Sequence, residues 1–177
     1  ARLDKAGDID GYAVRLEAGQ TLFAAVEAYA LGSGTDMLAH VLDEKGTRLQ
    51  TASDSRNLDP RLAFKAPKAG RYILQLAGFA HPPAADVRFT GGSGMIYRLH
   101  LSAGPVVTQV HPAAVATSGK TELELVGHNL DPKKARFSID ARDLRREGDL
   151  ALLLPPGAPF PVQVLLTARP AIVEKEP

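Results

Sequence analysis

Apolar and polar residues alternate with a period of two along most of the first hundred positions. In the stretch Gly7 to Tyr29, Tyr12, Val14 and Leu16 fall on one side, with Ala13, Arg15 and Glu17 on the other. That period gives a strand one buried and one wetter face. The tight turn Glu17-Ala18-Gly19-Gln20 predicts a hairpin into a second strand. There the alternation is less clean, because Leu22, Ala24, Val26 and Ala28 oppose Phe23, Ala25, Glu27 and Tyr29. Arg2 to Asp4 reads as the end of a strand that begins before residue 1.

The same grammar continues. Leu31 to Asp36 reads as a loop and Met37 to Leu42 as a strand. Asp43-Glu44-Lys45-Gly46 turns it back into Thr47 to Thr51, with Gly46 supplying a positive φ. Ser53 to Pro60 reads as a polar connection, and Arg61 to Ala66 as a strand. Arg71 to Phe79 alternates most cleanly, with Tyr72, Leu74 and Leu76 against Ile73, Gln75 and Ala77. Ala80 to Gly94 is the longest irregular loop. Met95 to Ser102 closes the set, with Tyr97, Leu99 and Leu101 inward. About eight short strands with regular turn signals predict an all-β sandwich or jelly roll.

Ala103-Gly104-Pro105 marks a domain boundary. Beyond it, strands are expected at Val106 to Val110, Thr121 to Val126, Arg136 to Ile139, Leu150 to Leu154 and Pro161 to Thr167. A charged helical turn within Asp140 to Gly148 fits between them. This pattern predicts a small immunoglobulin-like β-sandwich. The expected division is 1–103, 104–170 and a linker at 171–177.

Composition adds bounds. Lys+Arg is 21 and Asp+Glu is 20 in 177 residues, a formal charge of +1. That balance lacks the basic footprint of a nucleic-acid binder. No apolar run reaches the roughly 18 residues of a membrane-spanning helix. Cysteine is absent, which removes disulfides, thiolate nucleophiles and cysteine metal sites but does not fix the compartment. Thirteen prolines and sixteen glycines fall between short apolar runs, as an all-β chain with many turns requires.

Several residues invite a chemical reading. Asp8, Asp10, Asp36, Asp43, Asp54 and Asp59 occupy expected turns and loops. Calcium takes about six to eight oxygens, often from loop carboxylates. The competing explanation is turn chemistry, in which Asp accepts backbone N–H bonds. No contiguous DxDxDG pattern is present, and no cofactor is expected. His40, His81, His100, His111 and His128 lack the spacing that places two ligands on one helical face. Gly91-Gly92-Ser93-Gly94 resembles a phosphate loop in composition, but a strand follows it where a phosphate cradle needs a helix. Ser93 and Ser118 lack the nucleophile-elbow setting. The basic residues Lys133, Lys134, Arg136, Arg142, Arg145 and Arg146 are interleaved with Asp131, Asp140 and Asp143, which describes a solvated face.

Aromatics make up 6%, with no Trp. Tyr12, Tyr72 and Tyr97 take inward positions and are expected in the core. Tyr29, Phe79 and Phe89 remain as candidate ligand-binding residues, and the loop bordered by Phe79 and Phe89 is the preferred recognition surface. The alternative for the two phenylalanines is that they anchor that loop to the sandwich.

Two resemblances sharpen the reading. Gly7-Asp8-x-Asp10-x-Tyr12, Glu17-Ala18-Gly19-Gln20-Thr21-Leu22, Leu42-Asp43-x-x-Gly46, Asp59-Pro60-x-Leu62-x-Phe64-x-Ala66-Pro67, Gly70-x-Tyr72 and Tyr97-Arg98-Leu99 occur in order over residues 1 to about 103. As a set they resemble the bacterial pre-peptidase C-terminal domain. That family implies a jelly-roll β-sandwich appended to a secreted hydrolase or a large cell-surface protein. Some of its members bind collagen, chitin-like polymers or calcium. Residues 105 to 169 are more faintly similar to IPT/TIG modules, through Pro105, Pro112, Gly119 and Leu123-x-Leu125-x-Gly127-x-Asn129-Leu130. Glu174 to Pro177 looks like the entry to a further module. The resemblances imply a non-catalytic, extracytoplasmic pair of modules within a larger bacterial protein. Its expected partners are a protein or polysaccharide at the cell surface and neighbouring domains of the same polypeptide, with no nucleic acid and no membrane insertion. The alternative is a polysaccharide- or collagen-binding accessory of a secreted hydrolase.

Overall fold

The computed structural model describes residues 1–83, 85, 88–156, 158 and 160–169. The expected linker at 171–177 lies outside them. The protein is all-β, and regular helix among the described residues is limited to short 3₁₀ turns. Two compact units divide the chain, Ala1–Ala103 and a second that begins at Gly104.

The first unit contains β1 (Asp10–Leu16), β2 (Thr21–Glu27), β3 (Thr35–Leu42), β4 (Arg48–Ala52), β5 (Asp54–Arg56), β6 (Asp59–Lys65), β7 (Gly70–Ala80) and β8 (Arg98–Ser102). They form two antiparallel sheets, ordered β1-β7-β3-β4 and β5-β6-β2-β8. One hydrophobic cluster draws Leu16, Met37, Val41, Tyr72, Leu74 and Leu76 from the first sheet and Leu22, Val26, Leu62 and Phe64 from the second. The unit is therefore a β-sandwich with its core between the sheets. Alternation follows from this: Tyr12, Val14 and Leu16 pack on the core while Ala13 and Arg15 are exposed.

The opening pair of strands is not a hairpin. β1 pairs with β7, whereas β2 lies between β6 and β8 in the other sheet. The turn between them spends its backbone groups on the segment after β6: Gly19 N–H donates to the Ala66 carbonyl at 2.8 Å, and Ala66 N–H donates to Gln20 at 2.9 Å. Leu16 and Leu22 thus enter one core from opposite sheets. The uneven pattern of β2 has the same origin, since Phe23 and Ala25 are buried as well as Leu22, Ala24 and Val26.

Three further differences concern short elements. The connection at Ser53 to Pro60 contains the edge strand β5. The strand expected from Met95 begins only at Arg98, because Ile96 makes an isolated bridge to Arg2. Arg2 to Asp4 contributes that bridge and the fully buried Leu3.

The second unit contains β9 (Val106–His111), β10 (Ala114–Ala116), β11 (Lys120–His128), β12 (Arg136–Asp140), β13 (Arg145–Glu147), β14 (Leu150–Leu153) and β15 (Val162–Thr167). The sheets run β12-β11-β9 and β10-β15-β14-β13, with β10 and β15 parallel. A separate core holds Val110, Val115, Leu123, Leu153 and Val164. The charged helical turn is present as Ala141–Asp143, followed at once by β13. Asp140 starts that turn. Its carboxylate accepts from the Arg142 N–H at 3.0 Å and pairs with the Arg142 guanidinium at 2.7 Å, which holds the acid down to about 2.

Candidate functional site

The clearest candidate site lies on the first unit, around the segment that links β2 to β3. Tyr29–Leu31 is a single 3₁₀ turn closed by Gly32, whose φ of 70° terminates it. The turn carries no cap of its own. Asp59, only 4% exposed, supplies one from β6. Its Oδ1 accepts from Ala28 N–H and Tyr29 N–H, both at 2.8 Å, and its Oδ2 accepts from Ala30 N–H at 3.1 Å. Three consecutive backbone donors thereby converge on one buried carboxylate. The fixed turn leaves Tyr29 and Leu31 at the surface, 43% and 38% exposed. The Tyr29 ring meets His81 edge-on, with centroids 5.6 Å apart.

Phe79 and Phe89 do come together. Their half-buried rings tilt against each other with centroids 5.3 Å apart. Around them, Thr90 N–H donates to the Gly78 carbonyl and Gly7 N–H to the Phe89 carbonyl, both at 2.8 Å. This contact fastens the long loop to β7 and to the N-terminal segment. The glycine cluster serves the same packing: a Cβ on Gly91 would sit 1.9 Å from the Lys5 carbonyl oxygen.

Leu31 also forms one wall of a hollow of about 650 Å³, with Tyr12, Ile96, Tyr97, Leu99 and Leu101 as further walls and Ala1 and Arg98 at its lining. Ile96 is another exposed apolar side chain, at 43%. Two phenol groups converge there. The Tyr97 hydroxyl donates to the Asp10 carboxylate, and the Tyr12 and Tyr97 oxygens lie 2.5 Å apart. Burial, followed by the hydrogen bonds to Asp10 and Tyr12, pushes the Tyr97 phenol well above its usual range. Arg98 pairs with Glu27 at 3.1 Å, and His100 Nε2 approaches the same Glu27 oxygen at 3.4 Å.

The aspartates that could offer oxygens to calcium have mostly local duties. Asp43 accepts from Lys45 N–H and Thr47 N–H, at 2.9 and 2.8 Å, inside the β3–β4 turn. Asp8 accepts from Asp4 N–H at 2.5 Å and Ile9 N–H at 3.1 Å. Asp10 serves Tyr97, and Asp59 caps the turn. Asp36 is raised, first by burial and then by the charge of Asp54. Among the described residues, no group of three or more His, Asp or Glu is placed to hold a metal ion. His40 is buried and hydrogen-bonded through Nδ1 to Thr51 Oγ1 at 2.9 Å, a structural position. Arg136 and Arg142 of the basic cluster are engaged by Glu124 and Asp140.

Sequence reasoning places Tyr12 and Tyr97 in the core and passes over the hollow between them. A signal exists: two tyrosines at inward positions must find partners for their hydroxyls, and Asp10 precedes Tyr12 by one strand period. Comparison of the chain with models of known protein families and with curated proteins finds no match.

Proposed function

We propose that the two units are a non-catalytic binding or assembly pair within a larger secreted or cell-surface bacterial protein, working outside the cytoplasm. The observation that carries this reading is the display of Tyr29 and Leu31. A buried carboxylate holds their turn rigid while both apolar side chains face solvent beside an apolar hollow. Rigid sandwiches commonly present recognition residues in this way, on loops that the scaffold fixes.

The strand order supports the jelly-roll and pre-peptidase C-terminal reading of the first unit. The chain changes sheet at β1–β2, β2–β3, β4–β5, β6–β7 and β7–β8, and stays within one only at the β3–β4 and β5–β6 hairpins. Motif residues have matching duties: Asp59 caps, Gly46 turns the chain at φ 80°, and the Tyr72 hydroxyl donates to the Lys68 carbonyl at 2.8 Å. For the second unit, the parallel β10–β15 pair supports an immunoglobulin-like reading. The direct β11–β12 hairpin departs from the ABED and CFG strand sets of that fold.

A second reading, a polysaccharide- or collagen-binding accessory of a secreted hydrolase, draws on Tyr29, whose exposed ring offers a sugar a stacking face. Retention on immobilised collagen, chitin and cellulose separates the two. The first reading expects passage through all three and capture of a cell-surface protein, lost when Tyr29 and Leu31 are changed to Ala; retention on collagen favours the accessory. Retention confined to the glycans moves the assignment to the accessory. Turnover of generic ester, phosphate or glycoside substrates by the purified chain removes both.

A further inference from the structure

Arg15 and Arg71 sit directly opposite each other where β1 pairs with β7. Both are exposed, and both point away from the core, since their neighbours Val14, Leu16 and Tyr72 pack on it. Like charges placed opposite each other across a strand pair destabilise it. Among the described residues neither guanidinium has an ion-pair or hydrogen-bond partner. Glu17, one strand period beyond Arg15, and Glu44, in the β3–β4 turn, form no ion pair there either. Charge on an edge strand keeps the edge from joining another sheet, which accounts for Arg15 on β1. β7 lies inside the sheet, so Arg71 has no such duty.

The next row on this face is apolar. Ala13 pairs with Ile73, Ile73 with Leu42, and Leu42 with Arg48 on the opposite edge strand, β4. Ile73 and Leu42 are half-buried, and the charge of Arg48 reaches His40 on the same face. Arg48 also has no carboxylate partner among the described residues. Two strand spacings, about 10 Å, separate it from β7. A guanidinium offers parallel N–H donors that match a carboxylate. These two rows carry no aromatic ring for a sugar to stack on, so the chain that fits them bears carboxylates on either side of an apolar side chain. We infer that this face of the β1-β7-β3-β4 sheet binds an acidic segment of a partner protein, with one carboxylate at the Arg15–Arg71 pair, a second at Arg48 and an apolar side chain on Ile73 and Leu42. This rests on the binding-module reading and gives it a second contact surface. β3 runs from Thr35, just after the Tyr29 turn, to Leu42, a span on the order of 20 Å, so the two surfaces lie apart.

The test is a two-dimensional NMR titration of the two-unit protein with three probes: the peptide acetyl-EELEE-amide, its counterpart with Gln in place of each Glu, and a chondroitin sulfate tetrasaccharide. The acidic peptide is expected to shift the Arg15 and Arg71 Nε–H resonances and the Ile73 and Leu42 methyls. It should bind about tenfold more tightly than the Gln peptide, at about threefold for each of two exposed ion pairs. Arg15→Gln and Arg48→Gln should each weaken it about threefold, and Tyr29→Ala should leave it intact. Arg71→Glu is the sharper variant. It should abolish peptide binding and, by making the opposed pair attractive, raise the melting temperature by about 2 °C. A residue that only holds the fold would lose stability on that change. Equal binding of the Gln peptide, preference for the tetrasaccharide, no shift at Arg15 and Arg71 with any probe, or a melting temperature that fails to rise in Arg71→Glu overturns the proposal. Peptide binding by a protein that captures no cell-surface protein keeps this face and removes the module reading. Capture that Arg71→Glu leaves unchanged, and that is lost when Tyr29 and Leu31 are changed to Ala, does the reverse.

Discussion

Asp59 shows how one side chain can settle a local structure that its own strand does not need. It lies at the start of β6, yet its carboxylate satisfies the N–H groups of Ala28, Tyr29 and Ala30. Removing it leaves the buried Ala28 N–H and the part-buried Tyr29 and Ala30 N–H groups without this acceptor, a loss of about 1–3 kcal/mol for a buried group left unpaired. Asp59→Ala is expected to lower unfolding free energy by about 3 kcal/mol in urea titrations. Asp59→Asn retains one acceptor oxygen and should lose roughly half as much. The Tyr29 segment should become protease-sensitive in the alanine variant before the sandwich melts. His40 makes a second case at this scale. It is 4% exposed, and its pKa is lowered by burial and then by the charge of Arg48. The unfolded chain therefore binds this proton at a higher pH than the folded one. The contribution of neutral His40 is complete above about pH 6.5 and is lost as pH falls through the folded value. His40→Gln should flatten the decline of stability between about pH 7 and about pH 5. An unchanged slope in pH-dependent denaturation would assign that decline to other groups.

Elements held by side-chain burial were legible in the sequence, and elements held by backbone pairing alone were not. β1 and β7 show clean alternation because each puts one face on a core. β5 and β13 are three residues long and exposed throughout, so nothing in their apolar pattern marks them. β10 is as short, and three residues are too few to display a period. The β1–β2 crossing was hidden for a different reason. A tight glycine turn fits a hairpin and an arch equally, and the choice rests on Ala66, remote in sequence. The candidate site divides the same way. Tyr29, Phe79 and Phe89 stood out as aromatics at loop borders, whereas the hollow combines Ala1, Tyr12, Leu31 and residues 96–99 and 101 from four distant segments. β5 also gives a prediction. Pro60 has no N–H to offer opposite Asp54, and the ladder is bulged there. Ser55 Oγ fills the gap by accepting from Arg61 N–H at 3.0 Å and reaching the Arg61 carbonyl at 3.1 Å. Ser55→Ala should cost about 1 kcal/mol and speed amide exchange at Arg61, with β2 and β7 still protected.

At the scale of the molecule, the two cores share no residue: one gathers Leu74, Leu76 and Met37, the other Leu123, Val115 and Val164. Smaller units bury a smaller fraction of their chain, so the second has less stability in reserve. Truncating a fully buried leucine costs about 2–5 kcal/mol, through lost transfer energy and the cavity left behind. Leu76, 0% exposed, and Leu123, 1% exposed, are matched sites for this change. If each unit is held by its own core, Leu123→Ala should strip hydrogen-exchange protection from β9, β11 and β12 while the Tyr72–Leu76 amides remain slow. Leu76→Ala should open β1, β3 and β7 with little effect on β11. Parallel loss of protection in both units after either change would show that one cooperative transition governs the chain. In that case the rigidity claimed for the Tyr29 turn would depend on the second unit as well as on Asp59, and a binding test on residues 1–103 alone would not stand in for the pair.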